Sequence, residues 1–265
     1  MRAEYEYRGL MAAAWDLLRG DTSTWQDRPF YRGLIERSGT PALDVGCGTG
    51  RLVLDYLRAG IDIDGVDSSP EMLAICREKA AAVGLAPGLY LQEMQDLELP
   101  RRYRTIIVPS SSFQLVLDPG EAARAMTRFA GHLEPGGTLV MPFIALGRPG
   151  TPFEETWVKE AVRPEDGATI RRTAWSRYDP VTQLEETRDR YEVIVAGRVV
   201  RAETHERNPA TRGYTVEQAT ALFTTAGFSV DQVVSGFTLE PYDPARPHAH
   251  DADAGAVFTM IGRRG

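Results

Sequence analysis

The chain has 265 residues, 43% hydrophobic and 25% charged, close to the averages of soluble globular proteins, so nothing in its composition argues for a disordered, fibrous or membrane-spanning architecture. Its 37 acidic and 30 basic residues leave a formal net charge of -7, which disfavours a protein that grips a nucleic-acid backbone through many Lys and Arg contacts. Two cysteines, Cys47 and Cys76, lie in apparent regular elements and predict free thiols; with acids where a signal peptide would be apolar, the chain is expected in the cytoplasm.

Residues 3–19 and 27–38 carry apolar positions at helical spacing, including Leu10, Met11, Ala14, Trp15 and Leu18, then Phe30, Tyr31, Leu34 and Ile35. They predict a helical cap over 1–40. From residue 41 short apolar runs alternate with helical segments: "PALDV", a helix from Gly50, "IDIDGV", a helix from Pro70, "GLYLQ", "YRTIIVP", a helix from Gly120, and "GGTLVMPFI". Strands alternating with helices imply a parallel sheet covered on both faces, here over 41–147 and again over 212–265. Between them, residues 148–211 change to a two-residue period in "ATIRRTAWSRYDP", "QLEETRDRYEVIV" and "RVVRAETHER", which predicts an inserted antiparallel sheet. A helix capped by Thr215 and closed by Gly227 follows, and "FSVDQVVSGFTL" and "AVFTMIGRR" read as the last strands. Lys79 and Lys159 are the only lysines among many arginines, a bias that suggests a GC-rich bacterial genome.

The most informative stretch is "LDVGCGTGRL", residues 43–52. In an open parallel sheet, a loop leaving the first strand stands at the carboxyl edge where ligands bind, and glycines let the main chain turn sharply and approach a ligand. The spacing is G-x-G-x-G, and the position that a dinucleotide fingerprint needs small is Arg51; no G-K-[ST] follows, so a phosphate-binding P-loop is excluded. "LDVGCGTGRL" resembles the first motif of class I S-adenosylmethionine-dependent methyltransferases. "GVDSSPEML", "LQEMQDLEL" and "HLEPGGTLV" resemble the later motifs of that family, in order, over roughly residues 41–146.

The resemblance implies a Rossmann-like fold: a seven-stranded, mostly parallel sheet with its last strand antiparallel and helices on both faces. To this the chain adds the N-terminal helical lid and the inserted antiparallel β-sheet. It implies S-adenosyl-L-methionine as cofactor, with Asp44, Gly46, Cys47, Gly48, Gly50, Asp67, Ser68, Met72, Glu93, Met94, Ser110 and Trp15 around it. Asp67 would accept from both ribose hydroxyls, against the alternative of a helix-capping acid, and Glu93, where the family more often has Asp, from the adenine amino group with Met94 on the ring, against the alternative of an exposed loop acid. Asp44 has two compatible readings, a bridge toward the cofactor's ammonium and a structural acid of the loop. Trp15 either covers the sulfonium or belongs to the core.

"VPSSSFQLV" follows the fourth strand, and the resemblance implies that this stretch lines the boundary between cofactor and acceptor with Ser110, Ser111, Phe113 and Gln114, with Tyr214 in the acceptor pocket; alternatively "SSSF" only caps a strand and starts a helix. Aligning acceptor, methyl and sulfur is expected to supply most of the catalysis, with a general base as an aid. Of four histidines, His205 is the candidate base, at the end of the last inserted strand, against the alternative of a strand surface residue; His132 reads as a helix-end residue. His248 and His250, with Asp251 and Asp253, sit in a Pro-rich polar loop, and no metal is expected. Trp157, Trp175, Tyr178 and Tyr191 of the inserted sheet either wall the acceptor pocket or pair two copies of the chain. The expected function is methyl transfer to a small molecule, nitrogen slightly favoured over oxygen, with no nucleic-acid or membrane partner; the rival reading is a non-catalytic binder of the same cofactor.

Overall fold

The computed structural model describes residues 7–146, 150–243 and 257–265, so the "HAHDAD" stretch lies outside the described residues. The chain order is α1 (Gly9–Ala13), α2 (Trp15–Arg19), α3 (Asp27–Ser38), β1 (Ala42–Val45), α4 (Val53–Arg58), β2 (Ile63–Asp67), α5 (Pro70–Ala82), β3 (Leu89–Leu91) and β4 (Tyr103–Ile107). It continues with α6 (Pro119–His132), β5 (Leu133–Ile144), β6 (Phe153–Val162), β7 (Thr169–Asp179), β8 (Leu184–Val195), β9 (Arg198–Arg212), α7 (Val216–Thr225), β10 (Phe228–Ser235) and β11 (Val257–Arg264).

One sheet has the order β10-β11-β5-β4-β1-β2-β3, with β11 antiparallel to both of its neighbours and the other pairings parallel. The chain runs from β1 outward to β3 and then returns to β4 on the other side of β1, so the strand order reverses between β1 and β4. That is the point at which open α/β sheets bind ligands. Alternating strand residues serve two cores. Leu43, Val45, Ile106 and Phe143 pack with Met126, Phe129 and Phe223 of α6 and α7, whereas Ala42, Ile63 and Ile107 pack with Tyr31, Ile35, Val53, Tyr56 and Leu73 on the opposite face.

The helix expected from Gly50 starts at Val53 because Gly50 has φ of 86°, outside any right-handed helix. A Cβ there would also stand 2.5 Å from the Cys76 sulfur of α5. The continuous helix expected over 3–19 is, in its described part, two short helices: Gly9, with φ of 57°, starts the first, and Ala14 separates them. The boundaries expected at Pro70 and Thr215 coincide with caps. Ser69 accepts from the Met72 amide ahead of α5, and Thr215 and Gln218 form a reciprocal capping box on α7.

The inserted residues form a four-stranded antiparallel meander, β6-β7-β8-β9. Its Ala168, Ile170, Tyr191 and Val193 pack against Leu10, Met11, Ala14 and Leu18. The meander therefore backs the N-terminal helices. Among the described residues no helix is long and apolar enough to cross a membrane.

Candidate active-site cleft

A cleft of about 410 Å³ opens at the strand-order reversal. Its floor is Asp44 to Thr49 after β1, its sides are Asp67 and Ser68 after β2 and Glu93 to Asp96 after β3, and Ser110 to Ser112 after β4 close it. The N-terminal segment covers it with Tyr7, Trp15 and Arg19.

The loop conformation depends on its glycines. Gly46 and Gly48 have φ of 76° and 54°, the left-handed region. A Cβ on Gly46 would stand 2.6 Å from the Ser112 hydroxyl, whereas at Gly48 it would project into open space at the cleft. Asp67 braces this turn: one carboxylate oxygen accepts from the Gly48 amide at 2.8 Å and the other from the Ser69 amide at 2.8 Å.

Beneath the floor, burial pushes the Asp44 carboxyl up to about 7, against the pull of Arg51 and with help from Asp67 and Asp27. Its Oδ1 is buried without a hydrogen-bond partner. Arg51 itself is held by Asp27, donating to both carboxylate oxygens. An unsatisfied buried acceptor beside a glycine cradle fits a ligand that brings a donor, as the ammonium of S-adenosylmethionine would.

The cover is latched to the same elements. Thr49 donates to Asp16 at 2.6 Å, Lys79 pairs with the other Asp16 oxygen at 2.9 Å, and Ser69 donates to the Tyr7 carbonyl. Gly9 and Leu10 donate their amides to Glu71 and Glu203, both at 2.7 Å.

Of the residues expected around the cofactor, Asp44, Gly46, Cys47, Gly48, Asp67, Ser68, Met72, Glu93, Met94, Ser110 and Trp15 all line the cleft. Gly50 does not, since it turns toward Cys76 and Leu54. Both cysteines are free and buried. Ser110 lines the wall with φ of 58°, a conformation that a non-glycine residue seldom holds outside functional turns.

The acceptor residues divide. Ser111 lines the cleft; Phe113, Gln114 and Tyr214 do not. Phe113 is 1% exposed among Phe129, Phe143 and Tyr214. Gln114 is fully buried, donating to the Ile144 and Arg212 carbonyls at 3.0 Å and accepting from the Ile144 amide at 2.8 Å. It clamps the end of β5 to the end of β9. Gln114→Leu is therefore expected to destabilise the fold by at least about 2 kcal/mol, seen as a lower thermal midpoint, without a direct effect on ligand contacts.

His205 is also not brought to the cleft. Residues 203, 205 and 207 of β9 alternate onto the face covered by the N-terminal helices, where His205 meets Tyr191 edge-on at 5.7 Å and lies 3.6 Å from Glu203. It backs the lid. His132 ends α6, and its ring accepts from the Leu99 amide at 3.0 Å. Trp157 lies beneath Arg172, Trp175 donates to Glu154, Tyr178 stacks on Phe153 and Tyr191 packs under the lid helices, so none of the four lines the cleft. Lining residues not anticipated include Tyr7, Arg19, Thr49, Asp118, Glu121 and Arg124. For Arg19 a signal existed, because it lies four residues after Trp15 and so shares its helical face.

A family model described as "Methyltransferase domain" matches residues 42–137. A dTDP-3-amino-3,6-dideoxy-alpha-D-glucopyranose N,N-dimethyltransferase of Streptomyces fradiae is 28% identical over 245 residues, covering 87% of this chain and 88% of that protein. A dTDP-3-amino-3,4,6-trideoxy-alpha-D-glucopyranose N,N-dimethyltransferase of Streptomyces venezuelae is 32% identical over 156 residues, 57% of this chain and 63% of that protein. In three dimensions the chain resembles the CcbJ methyltransferase of Streptomyces caelestis, with a TM-score of 0.74 at 20% identity over 99% of this chain and 98% of that one.

Proposed function

From the premise that this chain is a class I S-adenosylmethionine-dependent methyltransferase, we propose that it methylates the amino group of a small, sugar-like molecule. When bound, the cofactor supplies a methyl group on a cationic sulfur. In this reading Asp67 accepts from the ribose hydroxyls, Glu93 accepts from the adenine amine, and Met94 lies on the ring. Asp44 accepts from the ammonium. Tyr7 and Trp15 exclude water from above, and Ser110 and Ser111 orient the acceptor for in-line attack.

The observation that carries the choice of nitrogen is the chemistry of the lining: among the described residues it contains no histidine and no lysine. An amine can shed its proton to solvent before it attacks, and carboxylates such as Asp118 and Glu121 of the lining suit its ammonium form, whereas they are weak bases toward a hydroxyl. The two amino-sugar N,N-dimethyltransferases among the relatives support the same reading. The test is incubation with S-adenosylmethionine and a panel of nucleotide-linked amino sugars beside their hydroxyl analogues, followed by mass spectrometry. Gain of one or two methyl groups on the amines alone is expected; methylation of the hydroxyl compounds alone would sink the proposal.

The raised Asp44 carboxyl adds a pH dependence. The folded pKa, about 7, lies above the roughly 3.9 of an unfolded aspartate, so between these values the folded chain holds the extra proton. The cofactor-free protein therefore loses stability as pH rises through that window. Ionised Asp44 is the form that accepts from an ammonium, so affinity for S-adenosylhomocysteine should rise as pH increases toward and past about 7. Calorimetry across this range checks the slope, which Asp44→Asn should flatten.

A further inference from the structure

Tyr214, expected at the acceptor and absent from the cleft, lines a second cavity of about 270 Å³. Its apolar walls are Pro119 and Ala122 of α6 with Ala221 and Leu222 of α7, and Arg212, at the end of β9, completes it. The start of α6 separates the two sites, since Asp118 and Glu121 line the cleft whereas Pro119 and Ala122 line the cavity.

Two donors at this cavity lack acceptors. The Tyr214 hydroxyl is buried without a hydrogen-bond partner, a costly state for a donor. Arg212 uses only its Nε, which donates to the Leu117 carbonyl at 2.7 Å; among the described residues its guanidinium has no ion pair and no other hydrogen bond. The two are neighbours, because Arg212 opposes the rise that burial imposes on the Tyr214 pKa.

Both donors sit on a fixed frame. Gln114 donates to the Arg212 carbonyl at 3.0 Å, which anchors the backbone beneath the cation. On the rim, Gln183 and Gln218 exchange side-chain hydrogen bonds at 3.1 and 2.7 Å, and the Gln183 carbonyl accepts from the Gly213 amide at 2.7 Å. Gln183 also holds φ of 57°, a strained conformation of the kind that clusters at ligand clamps.

The donors select an anion and the walls select its body. A guanidinium edge beside a hydroxyl suits a carboxylate, which accepts from both. Among the described residues lining the cavity none is acidic, so a ligand ammonium would find no partner there. Inorganic phosphate would leave the proline, alanine and leucine surfaces uncovered. The volume is below the roughly 300 to 1,000 Å³ of drug-sized sites, which limits the body to a single ring or a short branched chain.

We propose that this cavity is a second binding site, separate from the methyl-transfer cleft, for a small carboxylate with a compact apolar body, held by Arg212 and Tyr214. The assignment does not depend on what the cleft binds.

The test is amide NMR of the full chain titrated with benzoate and, as its neutral counterpart, benzamide. Benzoate should shift the amides of Gly213, Tyr214, Ala221 and Leu222 and bind about 10- to 100-fold more tightly than benzamide. Arg212→Gln should bring the two within about threefold of each other, and Tyr214→Phe should weaken benzoate by about 3- to 10-fold. Ala221→Phe, on the exposed side of α7, should fill the cavity and abolish binding with both donors intact, and it decides the matter if Arg212→Gln does not fold. Saturating S-adenosylhomocysteine should leave benzoate bound. No binding of benzoate, equal binding of benzamide by the wild type, a preference that survives Arg212→Gln, binding that survives Ala221→Phe, or displacement by S-adenosylhomocysteine overturns the assignment. Failure of S-adenosylhomocysteine itself to bind overturns the reading of the cleft instead.

Discussion

Replacing Asp67 with alanine is expected to weaken binding of S-adenosylmethionine and S-adenosylhomocysteine by about 100-fold, the upper end of what loss of charge-assisted hydrogen bonds produces. Two losses coincide. The ribose hydroxyls lose their acceptor, and the Gly48 and Ser69 amides, each 2.8 Å from the carboxylate, lose theirs, so the glycine turn is no longer tied to the end of β2. Asp67 is only partly buried, so the freed amides can reach water, and the melting temperature without ligand should change little. Titration of both proteins with S-adenosylhomocysteine checks this. A change of less than about threefold would mean that the carboxylate braces the loop and does nothing for the nucleoside.

Arg51→Leu should have the largest effect on stability. The Arg51–Asp27 pair has side-chain exposures of 12% and 5%, and Asp44 lies close enough for Arg51 to oppose its neutralisation. Removing the cation leaves two carboxylates in a poorly hydrated site, at a cost of about 3 to 5 kcal/mol and a fall in thermal midpoint on the order of 6 to 20 °C. The double variant Asp27→Leu, Arg51→Leu should recover much of this, because a buried pair exchanged for apolar side chains is often close to neutral. Thermal unfolding of the single and double variants decides the matter; equal midpoints for Arg51→Leu and the wild type would show that the pair contributes nothing.

The parts legible in the sequence were those governed by local rules. Period changes separated the parallel core from the inserted meander, and the glycines after "LDV" marked the turn that only residues without a Cβ can make at Gly46 and Gly48. The unexpected placements arise from tertiary parity. "VPSSSFQLV" does follow β4, but its short turn directs the serines outward and Phe113 and Gln114 inward, and no spacing in the string distinguishes those directions. Gln114 resembled a pocket residue because its partners, at Ile144 and Arg212, are 30 and 98 positions away. His205, read from sequence as the end of the last inserted strand, lies in the middle of β9, which runs on to Arg212, and alternation along β9 points it at the lid. Arg51, read from sequence only as an obstacle to a dinucleotide, is the cation around which Asp27 and Asp44 are arranged.

The same parity gives the inserted sheet, which contributes no described residue to the lining of the cleft, a role other than the pocket wall expected of it. By packing Ile170, Tyr191 and Val193 against Leu10, Met11 and Leu18, it holds the helices that carry Trp15 and Arg19 over the cleft. The route from insert to ligand runs through the lid, and Glu203, which accepts from the Leu10 amide, is part of that coupling.

A crystal structure of the complex with S-adenosylhomocysteine tests the account most directly. It should place the ribose hydroxyls about 2.7 to 3.0 Å from the Asp67 carboxylate, with adenine at Glu93 and Met94 and the amino-acid portion at Asp44. A nucleoside bound elsewhere, or in the reverse sense with its amino-acid end at Glu93, would contradict it.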